Sequence, residues 1–391
     1  MTTLSERAPK SRGAATESFF DSQCVHDQDR SDMSESIAAR LRRRLRAWVP
    51  WAVAALVLAY VFSDVPAQTL ADALARVSPW RFALVLLGTT AGALLADSLA
   101  ISLALTATAR AEREAVSDQT SDIEPAEVAA PGPNGRREHA APRYRDVLLV
   151  RCASALLSLL NYGVGQGGVV YFLHRRHGIS LEIGAGAILL AAAAFVAVLA
   201  VAAGVGLLAG AVPDRPELRI VAWIALAALP AYVVLAALRP RFLIRRKLLR
   251  YLLAVSPAAL LRVLGARVLH LGVLVTGHWL TMRLFDITVP PAAALLRLPA
   301  MFLVAAVPIA PAGLGTTQAA AMTLFGDYAA APEEAARQAT VLAYSLSHHV
   351  TGVVLLVLLG LACWRRLGRA QAAAVSAATD HASDQPGPCE R

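Results

Sequence analysis

The sequence predicts an all-α, polytopic membrane protein, and three observations support that prediction. Of the 391 residues, 57% are hydrophobic and 17% are charged, whereas about a quarter of the residues of an average soluble domain are charged. The apolar residues fall in long runs, such as 188–208 and 220–238, which can cross a hydrocarbon core of about 30 Å. The short alternating segments of a membrane barrel do not occur, and lipid requires internally bonded backbone groups. The runs are therefore predicted to be helices.

The predicted elements begin with a polar tail. Residues 1–46 are mostly polar and are predicted to form a disordered cytoplasmic tail. The first apolar run, 47–63, lies too far from the start for a cleaved signal peptide, so it is predicted to be the first span. Five further full spans are predicted, at 80–108, 183–210, 220–238, 258–282 and 339–363. The transmembrane domain then covers 47–365, and residues 366–391 are predicted to be a second disordered cytoplasmic tail.

A polar insert, 109–145, separates the second and third apolar stretches. It contains three prolines and a glycine, at Pro125, Pro131, Gly132 and Pro133. This composition is typical of a flexible cytoplasmic loop and not of a folded domain.

Two further segments, 147–173 and 291–325, are apolar but are interrupted near their middles. The interruptions are Gly163, Gly165, Gly167 and Gly168 in the first, and Pro308, Pro311, Gly313 and Gly315 in the second. Either both segments cross fully, which gives eight spans, or both are re-entrant hairpins, which gives about six spans and two hairpins. The second arrangement places the arginine-rich loop 239–250 in the cytoplasm with both chain ends, as positive-inside topology requires. We therefore expect a multi-pass protein of the cell (inner or plasma) membrane.

The glycine spacing of the two interrupted segments is the same. Gly165, Gly167 and Gly178 recur 148 residues later as Gly313, Gly315 and Gly326. Coincidence is one explanation, because glycine is frequent. The other is a pseudo-inverted repeat whose two hairpins enter from opposite faces. Such repeats are typical of transport folds, in which irregular backbone at mid-membrane lines a cavity.

These segments also carry a resemblance to a known family. Pro308-Ile-Ala-Pro-Ala-Gly-Leu-Gly-Thr-Thr-Gln318, followed by Gly326, is similar to the PxxPGGLGxxE-type segment of the lysylphosphatidylglycerol synthase transmembrane-region family. Asn161-Tyr-Gly-Val-Gly-Gln-Gly-Gly168, followed by Gly178-Ile-Ser180, resembles that family's asparagine- and glycine-rich segment. By span order and motif the resemblance covers roughly 47–365.

The resemblance implies an integral membrane domain of the flippase type, which moves a lipid between leaflets. We expect it to stand alone, because the chain has no room for the soluble aminoacyl-transferase domain that other members carry. Gln318 stands where the family often has glutamate, and Ser345, His348 and His349 occur near a position where it often has arginine. These departures leave the head group of the lipid open.

The predicted substrate-binding residues surround the two glycine interruptions. A glycine lets backbone approach a ligand closely, and a helix that opens there directs unpaired N–H groups and a positive dipole end at a phosphate. Arg297, at the entry of the second segment, either contacts that phosphate or extends to the membrane surface. Tight packing of small residues is the alternative explanation for the glycines. The predicted set is Asn161, Gly165, Gly167, Arg297, Gly313, Gly315, Thr316 and Gln318.

A second set of polar residues lies inside predicted spans. A charge at mid-bilayer costs about 2.5–3.5 kcal/mol, so it normally faces the interior and has a partner. Asp97 and Arg267 are therefore the predicted pair, in either a structural or a functional role. His348 and His349 are either proton carriers or polar helix contacts. The predicted intramembrane polar set is Asp97, Arg267, His270, His278, His348 and His349.

Several functional classes are disfavoured by the sequence. The net charge of +9 lies at the ends of apolar runs, as topology requires, so nucleic acid is not a predicted partner. The motif Gly163-x-Gly165-x-x-Gly168 formally matches a dinucleotide fingerprint, but it lies inside a membrane segment without a preceding strand. The four cysteines, Cys24, Cys152, Cys363 and Cys389, have no metal-ligand spacing. No metal, cofactor or catalytic motif is predicted, and we expect the protein not to be an enzyme.

Three hypotheses of function remain. The first is lipid translocation, with membrane lipids, anionic ones included, as partners. The second is a non-catalytic membrane subunit that supports a lipid- or glycan-modifying enzyme. The third is a membrane enzyme that uses His270, His278 or His348 in acid–base chemistry. The sequence predicts neither the direction and energy source of transport nor the oligomeric state.

Overall fold

The computed structural model describes residues 67–120, 142–159, 162–210, 251–306 and 314–383, with single positions between 52 and 59 and between 223 and 238. The continuous stretches belong to one compact unit, Ala54–Arg391. The amino-terminal tail and most of the predicted spans 47–63 and 220–238 lie outside the described residues.

The described secondary structure is almost entirely helical. Four helices are long and apolar enough to cross a membrane, over Pro79–Glu114, Leu181–Leu208, Pro257–Leu284 and Glu334–Arg369. This confirms the predicted all-α, polytopic membrane fold. In chain order the helices are α1 (Ala67–Ala75), α2 (Pro79–Thr120), α3 (Tyr144–Ser158), α4 (Tyr162–His177), α5 (Leu181–Leu208), α6 (Pro257–Leu284), α7 (Pro291–Ala306), α8 (Thr316–Phe325) and α9 (Glu334–Ser383), with a 3-10 turn at Gly326–Tyr328 between the last two.

Local sequence explains where several helices begin and end. Ser180 caps α5 by accepting a hydrogen bond from the Ile183 N–H at 3.2 Å, and Ser256 caps α6 with Pro257 as the first helical residue. Both are favourable helix starts, because a hydroxyl satisfies an otherwise unpaired N–H. Helix α4 ends at His177, and Gly178 after it has a φ of 64°, the left-handed conformation that commonly closes a helix.

Helices α2 and α6 pack antiparallel at the centre of the fold. Phe82 lies against Phe285 near one end of the pair, and Asp97 contacts Arg267 further along. Helix α5 runs parallel to α6, because Ala191 and Phe195 contact Arg267 and His270 in the same order. We call the end at which α5 and α6 begin face A, and the end at which α6 finishes face B.

Each interrupted segment forms two short antiparallel helices. In hairpin 1, α3 and α4 pack together so that Leu157 lies next to Gly168 across the reversal. In hairpin 2, α7 and α8 are joined by a hydrogen bond from Arg297 to the Leu324 carbonyl. With 10 to 16 residues each, these helices are about 15–24 Å long and cannot cross a 30 Å hydrocarbon core individually.

The two hairpins open to opposite faces. Only the residues 178–180 separate α4 from the start of α5, so both ends of hairpin 1 lie at face A. Hairpin 2 follows the end of α6 and precedes α9, which runs antiparallel to α6 through the contacts of Thr281 with His348 and Phe285 with Tyr344. Its two ends therefore lie at face B. This arrangement is the one predicted by the re-entrant interpretation.

The helix ends and contacts reveal the inverted repeat. Ser158 and Ala306, the last residues of α3 and α7, are 148 residues apart, as are His177 and Phe325, the last residues of α4 and α8. The packing of the helices follows the same repeat, in which α3 corresponds to α7, α4 to α8 and α5 to α9. Helix α3 contacts α9, and its counterpart α7 contacts α5. Helix α4 contacts α5, and its counterpart α8 contacts α9. The units α2–α5 and α6–α9 are thus related structural repeats of opposite orientation.

Close glycine contacts join each hairpin to the long helix of the other repeat. A β-carbon on Gly360 of α9 would lie 2.7 Å from the Leu156 side chain of α3. A β-carbon on Gly206 of α5 would collide with the Leu296 carbonyl of α7. Small residues permit this close approach between helices in a membrane.

Two predicted boundaries differ from the structure. Residues 109–120 were predicted to start a flexible loop, but α2 continues to Thr120. Arg110 and Glu114, one helical turn apart, form a 3.0 Å ion pair that favours this continuation. Helix α9 likewise continues to Ser383, well beyond residue 366 where a disordered tail was predicted. The alanine-rich sequence 370–378 has a high helix propensity.

Candidate functional site

The first candidate site is a buried cluster of charges around Asp97 of α2. One carboxylate oxygen of Asp97 accepts a hydrogen bond from Arg267 Nη1 of α6. The other accepts a hydrogen bond from Arg151 Nε of α3, at 2.5 Å. Asp97 and Arg267 are only 8% and 5% exposed. The predicted Asp97–Arg267 pair therefore exists, and it has a third member from hairpin 1.

Residues of α5 and α6 complete the surroundings of this cluster. Arg267 Nε donates a 2.9 Å hydrogen bond to the Ala191 carbonyl, and its guanidinium lies 5.5 Å from the centre of the Phe195 ring. His270 stacks on Phe195 with 5.0 Å between ring centres, and its Nδ1 is 3.3 Å from Arg267 Nη1. The cluster thus joins four helices.

Two guanidinium groups approach one carboxylate in this cluster. Arg151 and Arg267 contribute two guanidinium groups, and Asp97 contributes the one carboxylate that they share. Arg151 has the most exposed of the three side chains, at 15%.

Sequence reasoning did not include Arg151 in the predicted site. It is the one charged residue between 147 and 173, so the rule that intramembrane charges are functional candidates could have identified it. Its partner could not have been named, since the packing of α3 against α2 depends on the hairpin.

The second polar cluster lies further along α6, towards face B. The rings of His278 and His348 are 3.9 Å apart between centres. His278 Nδ1 lies 3.0 Å from the Leu274 carbonyl, and His348 Nδ1 lies 3.3 Å from the Thr281 hydroxyl. Phe302 of hairpin 2 contacts His278 edge-on at 4.8 Å. His349 is partly buried on α9.

The two predicted glycines of hairpin 1 have different surroundings. Helix α4 begins at Tyr162, so Gly165 and Gly167 lie inside it and do not open it. A β-carbon on Gly165 would lie 2.8 Å from the Ser158 Cα, whereas one on Gly167 would meet nothing within 4 Å. Packing therefore explains Gly165 but not Gly167. Asn161 lies outside the described residues.

In hairpin 2 the predicted residues form the start of α8. Gly315 has φ 86°, a conformation that residues with a side chain rarely adopt, and Thr316 is the first helical residue. The N–H of Gly315 donates a 2.6 Å hydrogen bond to Gln318 Oε1, as in a capping box. Gln318 is fully buried, and its Nε2 has no hydrogen-bond partner among the described residues. Gly313 lies outside the described residues.

Arg297 contacts protein groups at the other end of the same helix. Its Nη1 donates a 2.6 Å hydrogen bond to the Leu324 carbonyl, and its guanidinium lies 4.9 Å from the centre of the Tyr328 ring. A cation near the last carbonyls of α8 is stabilised by the negative end of the helix dipole. Arg297 therefore joins α7 to α8. Neither contact with a lipid phosphate nor extension to the membrane surface is needed to explain its position.

The fold defines a multi-pass α-helical membrane protein with two hairpins in inverted repeat. A model of the family described as "Lysylphosphatidylglycerol synthase TM region" matches residues 161–360, slightly more than half of the chain. The chain belongs to this family, as the sequence motifs indicated. No curated protein and no solved structure matches it.

Proposed function

We propose that this protein moves a phosphate-bearing membrane lipid between leaflets, as a flippase-type transporter and not as an enzyme. The observation that carries the proposal is the pair of hairpins that open to opposite faces. In membrane transport folds, interrupted helices of inverted repeats form the substrate site near the bilayer midplane. The proposed setting is the cell (inner or plasma) membrane, with both chain ends in the cytoplasm.

The depth of the hairpin reversals supports a site between the two faces. Helix α4 ends at face A and extends about 24 Å into the protein from that face. Helix α8 ends at face B and extends about 15 Å inward. Both helices therefore begin at a depth between face A and face B, partway along the length of the long helices. Irregular backbone at that depth is tolerated where protein covers it or where it lines a water-filled cavity.

Two features of the proposed path suit a phosphate group. The Asp97 cluster places two guanidinium groups, those of Arg151 and Arg267, beside hairpin 1. The start of α8 adds the positive end of a helix dipole and the buried Gln318 amide, whose Nε2 is without a described partner. A lipid phosphate that passed between these features would exchange one set of donors for another without returning to water.

Gly167 provides a test that separates a binding role from a packing role. Because a β-carbon there meets nothing in the protein, Gly167→Val should preserve folding but obstruct a lipid that approaches α4. We expect a loss of about tenfold or more in lipid transfer in liposomes, which corresponds to about 1.4 kcal/mol. Yield and monodispersity should be unchanged.

Gly272→Val is the matched control. Gly272 also lies inside a helix, the long helix α6, and a β-carbon there also meets nothing within 4 Å. The control should transfer lipid at nearly the normal rate. Equal rates for both variants and the unmodified protein would exclude lipid contact at Gly167. Absence of lipid transfer by the unmodified protein, across anionic and zwitterionic head groups, would refute the proposed function itself.

A further inference from the structure

A pocket at face B lies apart from both polar clusters. It has a volume of about 170 Å³ and lies between the end of α1, the segment after α6 and the segment before α9. None of the residues predicted from sequence to bind substrate lines it. Its lining is Ala73, Arg76, Phe285, Asp286, Thr288, Ala330, Ala331 and Thr340.

The backbone fixes one charged side of this pocket. Asp286 is the one described residue other than glycine with a positive φ, at 57°. Its carbonyl accepts a 3.2 Å hydrogen bond from the Ala330 N–H, and the Thr288 N–H donates a 3.0 Å hydrogen bond to the Tyr328 carbonyl. An isolated bridge between Ile287 and Ala329 joins the same two segments. A left-handed aspartate costs free energy and persists only where its surroundings hold it.

The pocket brings together two opposite charges that do not neutralise each other. Arg76 and Asp286 both line it, yet among the described residues neither forms a salt bridge. The Asp286 backbone is held in place, so this residue stays at the pocket. The hydroxyl groups of Thr288 and Thr340 add neutral polar lining.

We propose that this pocket binds a small zwitterion, with a primary ammonium group at Asp286 and a phosphate or carboxylate at Arg76. Two sources supply this chemistry, the phosphoethanolamine head group of a lipid and a free amino acid. A cavity of this size accommodates a head group but not acyl chains. The site is additional to the intramembrane phosphate path and rests on the proposed function only for the lipid source.

The position of the pocket connects it to hairpin 2. Asp286 and Thr288 lie just before α7, and Tyr328, which holds Thr288, also stacks beneath Arg297. A ligand at Asp286 therefore contacts the segment through which hairpin 2 is attached. The charge-based topology places this face outside the cell, so the pocket would sample head groups of the outer surface.

The test is thermal unfolding of the purified full-length protein in detergent with soluble probes. O-phosphoethanolamine and β-alanine carry both charges, whereas ethanolamine and inorganic phosphate carry one each. Near saturation we expect at least one zwitterion to raise Tm by about 2–4 °C, and each single-charge probe to have a smaller effect. A larger shift with O-phosphoethanolamine assigns the lipid source, and a larger shift with β-alanine assigns the amino-acid source.

Two substitutions make the test specific. Asp286→Asn removes the charge but keeps a residue that tolerates the left-handed conformation, and Arg76→Gln removes the opposite charge. Both should abolish the shift, while Arg81→Gln, at an exposed arginine outside the pocket lining, should retain it. Equal stabilisation by phosphate alone, no shift with either zwitterion, or an undiminished shift in Asp286→Asn would overturn the proposal. Lipid transfer in liposomes, measured separately, would show whether the proposed function fails with it.

Discussion

The Asp97 carboxylate is shared between two guanidinium groups. Because two cations depend on one anion, substitutions of the three residues should change the free energy of unfolding by different amounts. A buried carboxylate with two cationic partners is difficult to replace, because its loss leaves both cations facing each other in a medium of low dielectric constant. The loss of one arginine, by contrast, leaves a simple ion pair. The three residues therefore should not contribute equally to the free energy of unfolding.

We expect Asp97→Asn to be the most destabilising single change in this cluster, by about 3–5 kcal/mol. Arg151→Gln should cost less, since Asp97 and Arg267 would still form a pair. Unfolding temperatures of the purified proteins in detergent provide the comparison. A larger loss for Arg151→Gln than for Asp97→Asn would contradict the shared-carboxylate arrangement.

The double variant Asp97→Asn/Arg267→Gln refines this comparison. Removal of both partners of a pair usually recovers part of the loss, but here Arg151 would still lack its carboxylate. Recovery should therefore be incomplete and should increase when Arg151→Gln is added. Strictly additive losses would show that the three side chains are not coupled.

The glycines of hairpin 1 allow a second comparison between residues two positions apart. Gly165→Ala should lower stability by about 1–3 kcal/mol, because its methyl group would lie against the Ser158 backbone. Gly167→Ala should be neutral or should stabilise by up to about 1 kcal/mol, since alanine favours helix and the space is open. Thermal unfolding of the two variants in parallel measures this difference in stability. A similar decrease in stability in both variants would be inconsistent with the structure.

Sequence alone predicted part of this site for a clear physical reason. The cost of a charge at mid-bilayer made Asp97 and Arg267 identifiable as partners without any knowledge of packing. Arg151 was not identified as the third member, because the contact between α3 and α2 depends on how the hairpin folds back. Arg297 shows the same limit, since its partner, the Leu324 carbonyl, lies on the returning helix. The glycines were found, but their individual roles depended on neighbours that only the fold supplies.

The hairpins are the elements on which the functional interpretation depends. Their existence followed from apolar segments with central glycines and prolines, and their opposed directions followed from loop charge. The lengths of the hairpin helices could not be predicted from the sequence pattern. Glycine spacing implied that Gly167 and Gly315 are equivalent, yet Gly167 is inside α4 whereas Gly315 precedes α8. The repeat is accurate where the hairpin helices end and diverges where α4 and α8 begin, at Tyr162 and Thr316. The proposed substrate contacts lie near these helix starts.

The opposed hairpins predict a specific pattern of cysteine accessibility. In a background without native cysteines, Arg145→Cys and Arg175→Cys, at the two ends of hairpin 1, should be labelled from the same side of the membrane. Ala292→Cys and Glu333→Cys, at the two ends of hairpin 2, should be labelled from the other. All four positions are exposed. From loop charge we expect the first pair to be cytoplasmic.

Impermeant thiol reagents applied to intact cells and to inverted vesicles would show from which side of the membrane each cysteine is labelled. Labelling of Arg145→Cys and Arg175→Cys from opposite sides would mean that the first segment crosses completely. The same test applies independently to hairpin 2. The two results together decide between hairpins and eight full spans.

At the scale of the whole molecule, the hairpin of each repeat packs against the last long helix of the other repeat. Helix α3 packs against α9, and α7 packs against α5. Cys152 of α3 and Cys363 of α9 are neighbouring free thiols at the first of these interfaces. If lipid transfer requires one repeat to move against the other, a covalent link at this position should prevent it.

We expect a short thiol-to-thiol crosslinker or mild oxidation to join Cys152 and Cys363 and to reduce lipid transfer by about tenfold or more. After oxidation, a thiol reductant should restore transfer. The variants Cys152→Ser and Cys363→Ser should transfer lipid normally and should be insensitive to the treatment. Complete crosslinking with undiminished transfer would show that this interface does not move during the cycle.

The exchange of contacts between repeats also affects how the protein is made. Arg151 must find Asp97 early, but the long helix that covers α3 is synthesised about two hundred residues later, and Arg267 lies 170 residues after Asp97. Until α6 and α9 emerge, the first repeat holds a carboxylate, a guanidinium and an uncovered helix face inside the membrane without their final neighbours. We therefore expect that neither half completes its fold alone. Two separately encoded halves should accumulate only when both are expressed in the same cell.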